Sequence, residues 1–206
     1  MTLRGARPAP SRPRLAGWTL PGAVALTTVA LTTGALATAA LAACGSARPA
    51  PAAVAACPSS ALRVALDTSV EAVAAGSSYL PLDFTNATHS ACRLTGYPDV
   101  AFVSGVPGHR IGGPATRYQG VAAHPVTLAP GATAHAWLVV SAAANYPAGQ
   151  CHPVTARALR VQAPGQAGTS YVRHEFPACA AASLSGGSIL AVQPVQPGRA
   201  KRGTAQ

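Results

Sequence analysis

The chain has 206 residues and a formal net charge of +10, from 15 Lys and Arg against 5 Asp and Glu. The excess sits at the two ends: between Cys57 and Pro197 seven arginines face five acids, leaving only +2. That ordinary balance excludes a phosphate-tracking surface, and nucleic acid is not an expected partner.

The first 17 residues carry Arg4, Arg7, Arg12 and Arg14 and no acid, and Trp18 to Ala43 carries no charge. A secretory signal has a positive start, an apolar middle of about 7–15 residues and a small-residue cleavage site. Here the apolar run approaches the ~20 residues that span a bilayer. A retained anchor is the competing reading, weakened by Pro21, Gly22 and Gly34. Leu41-Ala42-Ala43-Cys44 closes the run and resembles a bacterial lipobox. On that resemblance residues 1–43 are a lipoprotein signal peptide. Cys44 then carries a diacylglycerol thioether and becomes the first mature residue. Arginines ahead of an apolar run stay cytoplasmic, so the remainder faces outward from the cell membrane. Each buried methylene is worth about 0.8 kcal/mol, so two or three acyl chains on Cys44 hold firmly. Gly203-Thr204-Ala205-Gln206 is no prenylation box.

Residues 44–56 have no hydrophobic period and contain Gly45, Pro49 and Pro51, so they read as a flexible tether. Residues 57–197 are long enough for one core. Residues 198–206 turn basic and lose pattern, and are expected to form a disordered tail. Arg199, Lys201 and Arg202 fall short of the about 4–8 basic residues of a lipid-binding cluster.

Beyond Cys44 four cysteines remain: Cys57, Cys92, Cys151 and Cys179. An even number in an exported chain points to two disulfides, with three pairings open. The sequence-local pairs Cys57–Cys92 and Cys151–Cys179 are favoured. Each closes a loop worth about 3–4 kcal/mol in the chain-entropy model. A structural zinc site would bring cysteines in close pairs, and none is so placed.

Within the domain the pattern is that of strands. Residues 62–67 alternate apolar and polar, as do 79–85, with Leu80, Leu82 and Phe84 on one face. Pro81 argues for an edge or irregular strand there. Residues 100–103, 121–128, 132–141, 156–161, 170–173 and 189–192 continue the series, while 69–75 is ambiguous between strand and helical turn. Gly96-Tyr97-Pro98, Pro107-Gly108, Gly112-Gly113-Pro114, Pro130-Gly131 and Pro164-Gly165 supply the turns. Short strands at this spacing predict an all-β fold, a single antiparallel immunoglobulin-like β-sandwich. Leu66, Leu82, Phe84, Phe102, Leu128, Leu138 and Val161 are the expected core. Trp137 and Leu138 are adjacent, so a regular strand turns only one of them inward.

Cys57 leading into Leu62-x-Val64, Phe84-Thr85-Asn86, and Cys92-Arg-Leu-Thr-Gly96-Tyr97-Pro98-Asp-Val100-x-Phe102 together resemble the domain of unknown function 4232 (DUF4232). Val126-x-Leu128-x-Pro130-Gly131-x-x-Ala134, Tyr146, Cys151 and Leu159-x-Val161-x-x-Pro164 fit its second half. The resemblance implies an extracytoplasmic, actinobacterial β-sandwich with four cysteines. It supplies no catalytic or binding residue.

Catalytic constellations are not evident in the sequence. His89-Ser90 lies in a polar turn, Ser183 to Ser188 forms no nucleophile elbow, and Ile111-Gly112-Gly113-Pro114 lacks the lysine of a phosphate loop. The chain is therefore read as a non-enzymatic binding or interaction module of the cell envelope, without a cofactor. Monomeric and lipid-anchored, it would meet an envelope protein or polymer. Loops on a stiff frame carry binding groups, and Tyr97, His109, Arg110, Arg117 and Tyr118 offer aromatic and cationic contacts. The alternative is an exported copper- or zinc-binding domain in which His124 and His135 meet across the Pro130-Gly131 turn. Asn86-Ala87-Thr88 matches a glycosylation sequon but reads more simply as an Asx turn.

Overall fold

In this computed structural model, residues 53–203 are described; the expected signal segment, Cys44 and the first part of the tether lie outside the described residues. Short strands dominate. They are β1 (Leu62–Leu66), β2 (Ala72–Ala74), β3 (Ser77–Asn86), β4 (Cys92–Leu94), β5 (Asp99–Val103), β6 (Arg110–Ile111) and β7 (Thr116–Arg117). After them come β8 (Val126–Leu128), β9 (Thr133–Ser141), β10 (Pro153–Gln162), β11 (Thr169–Cys179), β12 (Leu190–Val192) and β13 (Gln196–Pro197). The one α-helical turn, α1, spans Ala148–Cys151. The first sheet runs β1-β3-β9-β12-β7, with β2 added to the start of β3 and β13 to β9. The second runs β11-β10-β5-β6, and β4 with β8 forms a separate ribbon. Pairing between the named strands is antiparallel, save that β12 and β7 run parallel.

Alternation explains which faces meet. Leu80, Leu82 and Phe84 of β3 and Ala136, Leu138 and Val140 of β9 fall on one face of the first sheet. Phe102 on β5, Leu159 and Val161 on β10, and Phe176 on β11 join the same core, all buried. Of the seven expected core residues, six are buried and Leu66 is only half-buried. Leu66 closes the short β1 beside the surface turn 68–70, where nothing further covers it.

Four sequence expectations change. Pro81 lies in an interior strand, between β1 and β9, not at an edge. The N–H and C=O of one strand residue point to the same neighbour, and the Pro81 carbonyl accepts from Asp67 N, just past the last residue of β1. The missing donor therefore falls opposite Asp67, one residue past β1, so only the bond at the very end of that ladder is forgone. The ambiguous segment 69–75 divides into a 3₁₀ turn at Thr68–Val70 and strand β2. Residues 121–125, expected as strand, are loop. Trp137 and Leu138, finally, are both buried.

Trp137 lies on the second face of the sheet with His135 and Asp83, and the expected tail supplies partners to the last two. After β13, Gly198 O accepts from His135 Nδ1 at 2.8 Å. Arg199 Nη1 then donates to Asp83 Oδ2 at 2.6 Å, Ala200 is buried, and Arg202 Nη2 donates to Ser69 O. Residues 198–203 are thus a strap over β9 and β3 and no disordered tail. The sequence hid this because a strap needs only a few contacts and shows no periodicity.

Both disulfides join the sequence-local pairs. Cys57–Cys92 ties the entry of the domain to β4, and Cys151–Cys179 ties the end of α1 to the end of β11. Deleting residues 198–206 would remove the acceptor of His135 and leave Asp83 without Arg199. Denaturant titration of that truncated chain should show a loss of about 2 kcal/mol, with the Arg199 pair counted low because its guanidinium is largely exposed. An unchanged midpoint would return the segment to the status of a tail.

Candidate functional site

Where the two sheets diverge near the β2–β3 hairpin, the sequence supplies only small side chains: Ser77, Ser78, Ser141 and the run Ala142 to Ala144. Nothing large fills the gap, and a cleft of about 380 Å³ results. Leu80 of β3, Val140 of β9 and Phe176 of β11 form its apolar floor. The Phe176 ring lies 5.2 Å from that of Phe102 in the core and 4.6 Å from that of His174. A row of rings thus runs from the interior to the cleft wall. Glu71, from the turn ahead of β2, and Glu175, from β11, stand exposed in the cleft lining, as does Val73, 74 % exposed.

The hairpin that carries Val73 is held in place. Ala75 and Gly76 have φ of +48° and +73°, and two consecutive left-handed residues make the turn that matches strand twist. An alanine in that region is uncommon and costs of order 1 kcal/mol. Asn145 Nδ2 donates to Gly76 O at 2.9 Å, as does Ala142 N at 2.8 Å. A Cβ at Gly76 would stand 2.8 Å from Asn145 Nδ2, so the approach requires glycine.

The residues singled out from sequence fall in several places. Tyr97, Arg117 and Tyr118 come together: the Tyr97 hydroxyl donates to Tyr118 O and Val121 O, and the Arg117 guanidinium lies 5.4 Å from the Tyr97 ring centre. His109 and Arg110 belong to the β5–β6 hairpin, where His109 Nδ1 meets Ser104 Oγ at 3.0 Å and Arg110 pairs with Val103. His124 and His135 are not cross-strand neighbours. The Pro130-Gly131 turn does not close a hairpin, because β8 pairs with β4 while β9 pairs with β3. His135 faces Asp83 and Gln196 and is bonded to Gly198, whereas His124 is an exposed loop residue. Among the described residues no group of three or more His, Cys, Asp or Glu is placed to hold a metal ion.

Asn86 is fully buried, which removes it as a glycan acceptor. Its Nδ2 donates to Ser90 O, Leu128 O and Ala129 O, and its Oδ1 accepts from Thr88 N and Thr88 Oγ1. This is the Asx turn expected from sequence, extended into a knot that joins the loop after β3 to the turn after β8. His89-Ser90 belongs to that loop.

The cleft escaped the sequence reading because its lining comes from segments about 100 residues apart. The turn pair Ala75-Gly76 and the alanine run 142–144 were the available signals.

Two carboxyl groups have shifted affinities for protons. Burial raises the pKa of Asp83, opposed by Arg199, and its Oδ1 has no hydrogen-bond partner among the described residues. The Ser69 hydroxyl and amide lower that of Asp67. Asp83 lies beside His135 across the ladder, yet this pair has no nucleophile bonded to it and lies under the strap.

A family described as "Domain of unknown function (DUF4232)" fits residues 57–196. Neither the curated proteins nor the solved structures contain a match.

The signs of the two shifts are opposite and separable. Asp83 holds its proton to higher pH in the folded chain, so its contribution is full below about pH 4 and is lost as pH rises through the raised value. Asp67 contributes above about pH 4 and loses that contribution as pH falls. Urea midpoints between pH 3.5 and 7 should therefore show Asp83→Asn gaining on the native chain as pH rises. Asp67→Asn should lose ground over the same interval. A pH-independent difference for either variant would refute its assignment.

Proposed function

We propose, from the premise that this chain belongs to the DUF4232 family, that it is a non-enzymatic ligand-binding module of the cell envelope, held at the membrane by lipid on Cys44. In this reading residues 1–43 are a cleaved lipoprotein signal peptide and residues 44–56 a tether. The two larger sheets are the halves of one immunoglobulin-like sandwich, and the proposed setting is actinobacterial and extracytoplasmic.

The observation that carries the binding part is the cleft between β3, β9 and β11. Its volume of about 380 Å³ falls within the range of small-molecule sites, roughly 300–1,000 Å³, and such sites are mostly apolar with a few placed polar groups. Leu80, Val140 and Phe176 supply the first property, and Glu71, His174 and Glu175 the second. The four disulfide cysteines support an oxidising location. Among the described residues no helix is long and apolar enough to cross a membrane, so anchoring falls to the segment ahead of them. The cluster of Tyr97, Arg117 and Tyr118 is a second surface of the kind that meets a macromolecular partner.

Mass spectrometry of the membrane fraction of the native host should find a mature chain that starts at acylated Cys44. Cys44→Ala should leave the chain unprocessed. Recovery of the native chain with an intact N-terminus at Met1 or Thr2 would refute both cleavage and lipid anchoring.

A further inference from the structure

The cleft has a charge bias that its surroundings do not share. Between Cys57 and Pro197 basic residues outnumber acids, yet two of the five acids, Glu71 and Glu175, line this one concavity. No lysine or arginine does so among the described residues. The nearest basic side chains along β11 and its partner, Arg173 and Arg157, lie outside the lining. The same lining contains Phe176 and His174, whose rings lie 4.6 Å apart, with Leu80 and Val140. Carboxylates and rings that share one concavity are the combination that attracts an organic cation. The ring face carries negative potential, the carboxylates add long-range attraction, and the aliphatic floor takes up apolar surface.

From this juxtaposition we infer that the cleft binds an organic ammonium ion with an apolar body. The ammonium sits between Glu71 and Glu175 near the rings, and the hydrocarbon part lies on Leu80, Val140 and Phe176. This rests on the reading of the domain as a binding module and names the class of its ligand. Anions are disfavoured by the two carboxylates. A hydrated inorganic cation would gain nothing from the apolar floor, and among the described residues no group of three or more His, Cys, Asp or Glu is placed to hold one. The hairpin that carries Val73 in its first strand, pinned through Gly76 to Asn145, borders the cleft, and a volume of about 380 Å³ suits a slender ligand body: an alkyl chain or a single ring.

The test uses the full-length chain in lipid nanodiscs, with methyl NMR signals of Val73, Leu80 and Val140 as reporters. Three water-soluble probes of matched size are titrated: phenethylammonium, 2-phenylethanol and 3-phenylpropanoate. Empty nanodiscs correct for partitioning into lipid. The expected result is that phenethylammonium shifts these methyls at a concentration about tenfold lower than 2-phenylethanol does, with 3-phenylpropanoate weaker still. In the Glu71→Gln, Glu175→Gln double variant the order should collapse, with 2-phenylethanol binding unchanged. Both substitutions are at exposed positions, and the comparison of the three probes on the native chain does not depend on them. Equal binding of all three probes, or a preference that survives in the double variant, would overturn the cation assignment while leaving the cleft a binding site. Absence of any shift at Val73, Leu80 and Val140 with all three probes would overturn the assignment together with the use of this cleft by the proposed module.

Discussion

The β3–β9 ladder is the element on which the rest of the domain depends. It pairs Ser77 with Ser141 at one end and Thr85 with Thr133 at the other, and both of its faces are buried. A sheet buried on one face tolerates polar residues on the other. This one cannot, so each face needs its own cover. The second sheet covers Leu80, Leu82, Phe84 and Leu138. The strap 198–203 crosses the opposite face, where Trp137, His135 and Asp83 lie. Asp83 is the cost of that arrangement: a carboxylate on a strand face that would be solvated in an open sheet is enclosed here, and Arg199 is the partial remedy.

The same ladder separates a stiff end from an open one. At the Thr85–Thr133 end the chain is knotted by Asn86, and Cys57–Cys92 holds the neighbouring ribbon. At the Ser77–Ser141 end the side chains shrink to serine and alanine, and the sheets part. Cys151–Cys179 closes the end of β11 beyond Phe176, so the cleft has a fixed wall on that side. Its other side is a hairpin set by two left-handed residues and the Asn145–Gly76 bond. Rigid walls on both sides limit the ordering entropy a ligand must overcome.

Much of the strand framework was legible in the sequence, because alternation reports which face of a strand is buried. Leu80, Leu82 and Phe84 gave β3, and the apolar run around Leu138 gave β9. The sequence-local cysteine pairs met because each spans a short excursion that returns to its own neighbourhood. What stayed hidden were partnerships. Alternation shows that Val126 to Leu128 is a strand but not that it turns away from β9 to join β4, so His124 and His135 were brought together by a hairpin that does not form. Pro81 reads as an edge residue until the end of β1 is seen to coincide with its missing donor. Trp137 and Leu138 compete for one interior only if the other face is solvent, yet both faces are buried, and the strap on the second face has no period to detect. The site was the least legible part, since it is a gap defined by what Ser78, Ser141 and Ala143 fail to fill.

Magnitudes decide which part of the cleft gives affinity and which gives choice. Exposed ion pairs are worth about 0.2–1 kcal/mol each and are screened by salt. Glu71 and Glu175 can therefore rank ligands by charge but cannot hold one alone. Apolar surface contributes about 25 cal/mol per Å², so a single ring that buries ~150 Å² gains close to 4 kcal/mol, in the millimolar range. Tighter binding by this domain requires more contact than the cleft floor offers. The exposed Val73 at the mouth and the edge of β11 are the surfaces onto which a longer ligand body would extend. The alternative is local enrichment, and a domain tethered at a membrane meets membrane-borne ligands at a high effective concentration, which converts weak contacts into useful occupancy. On the proposed lipid anchoring, the electrostatic and apolar parts of the cleft point to the same condition: modest intrinsic affinity, made sufficient by where the domain would be held.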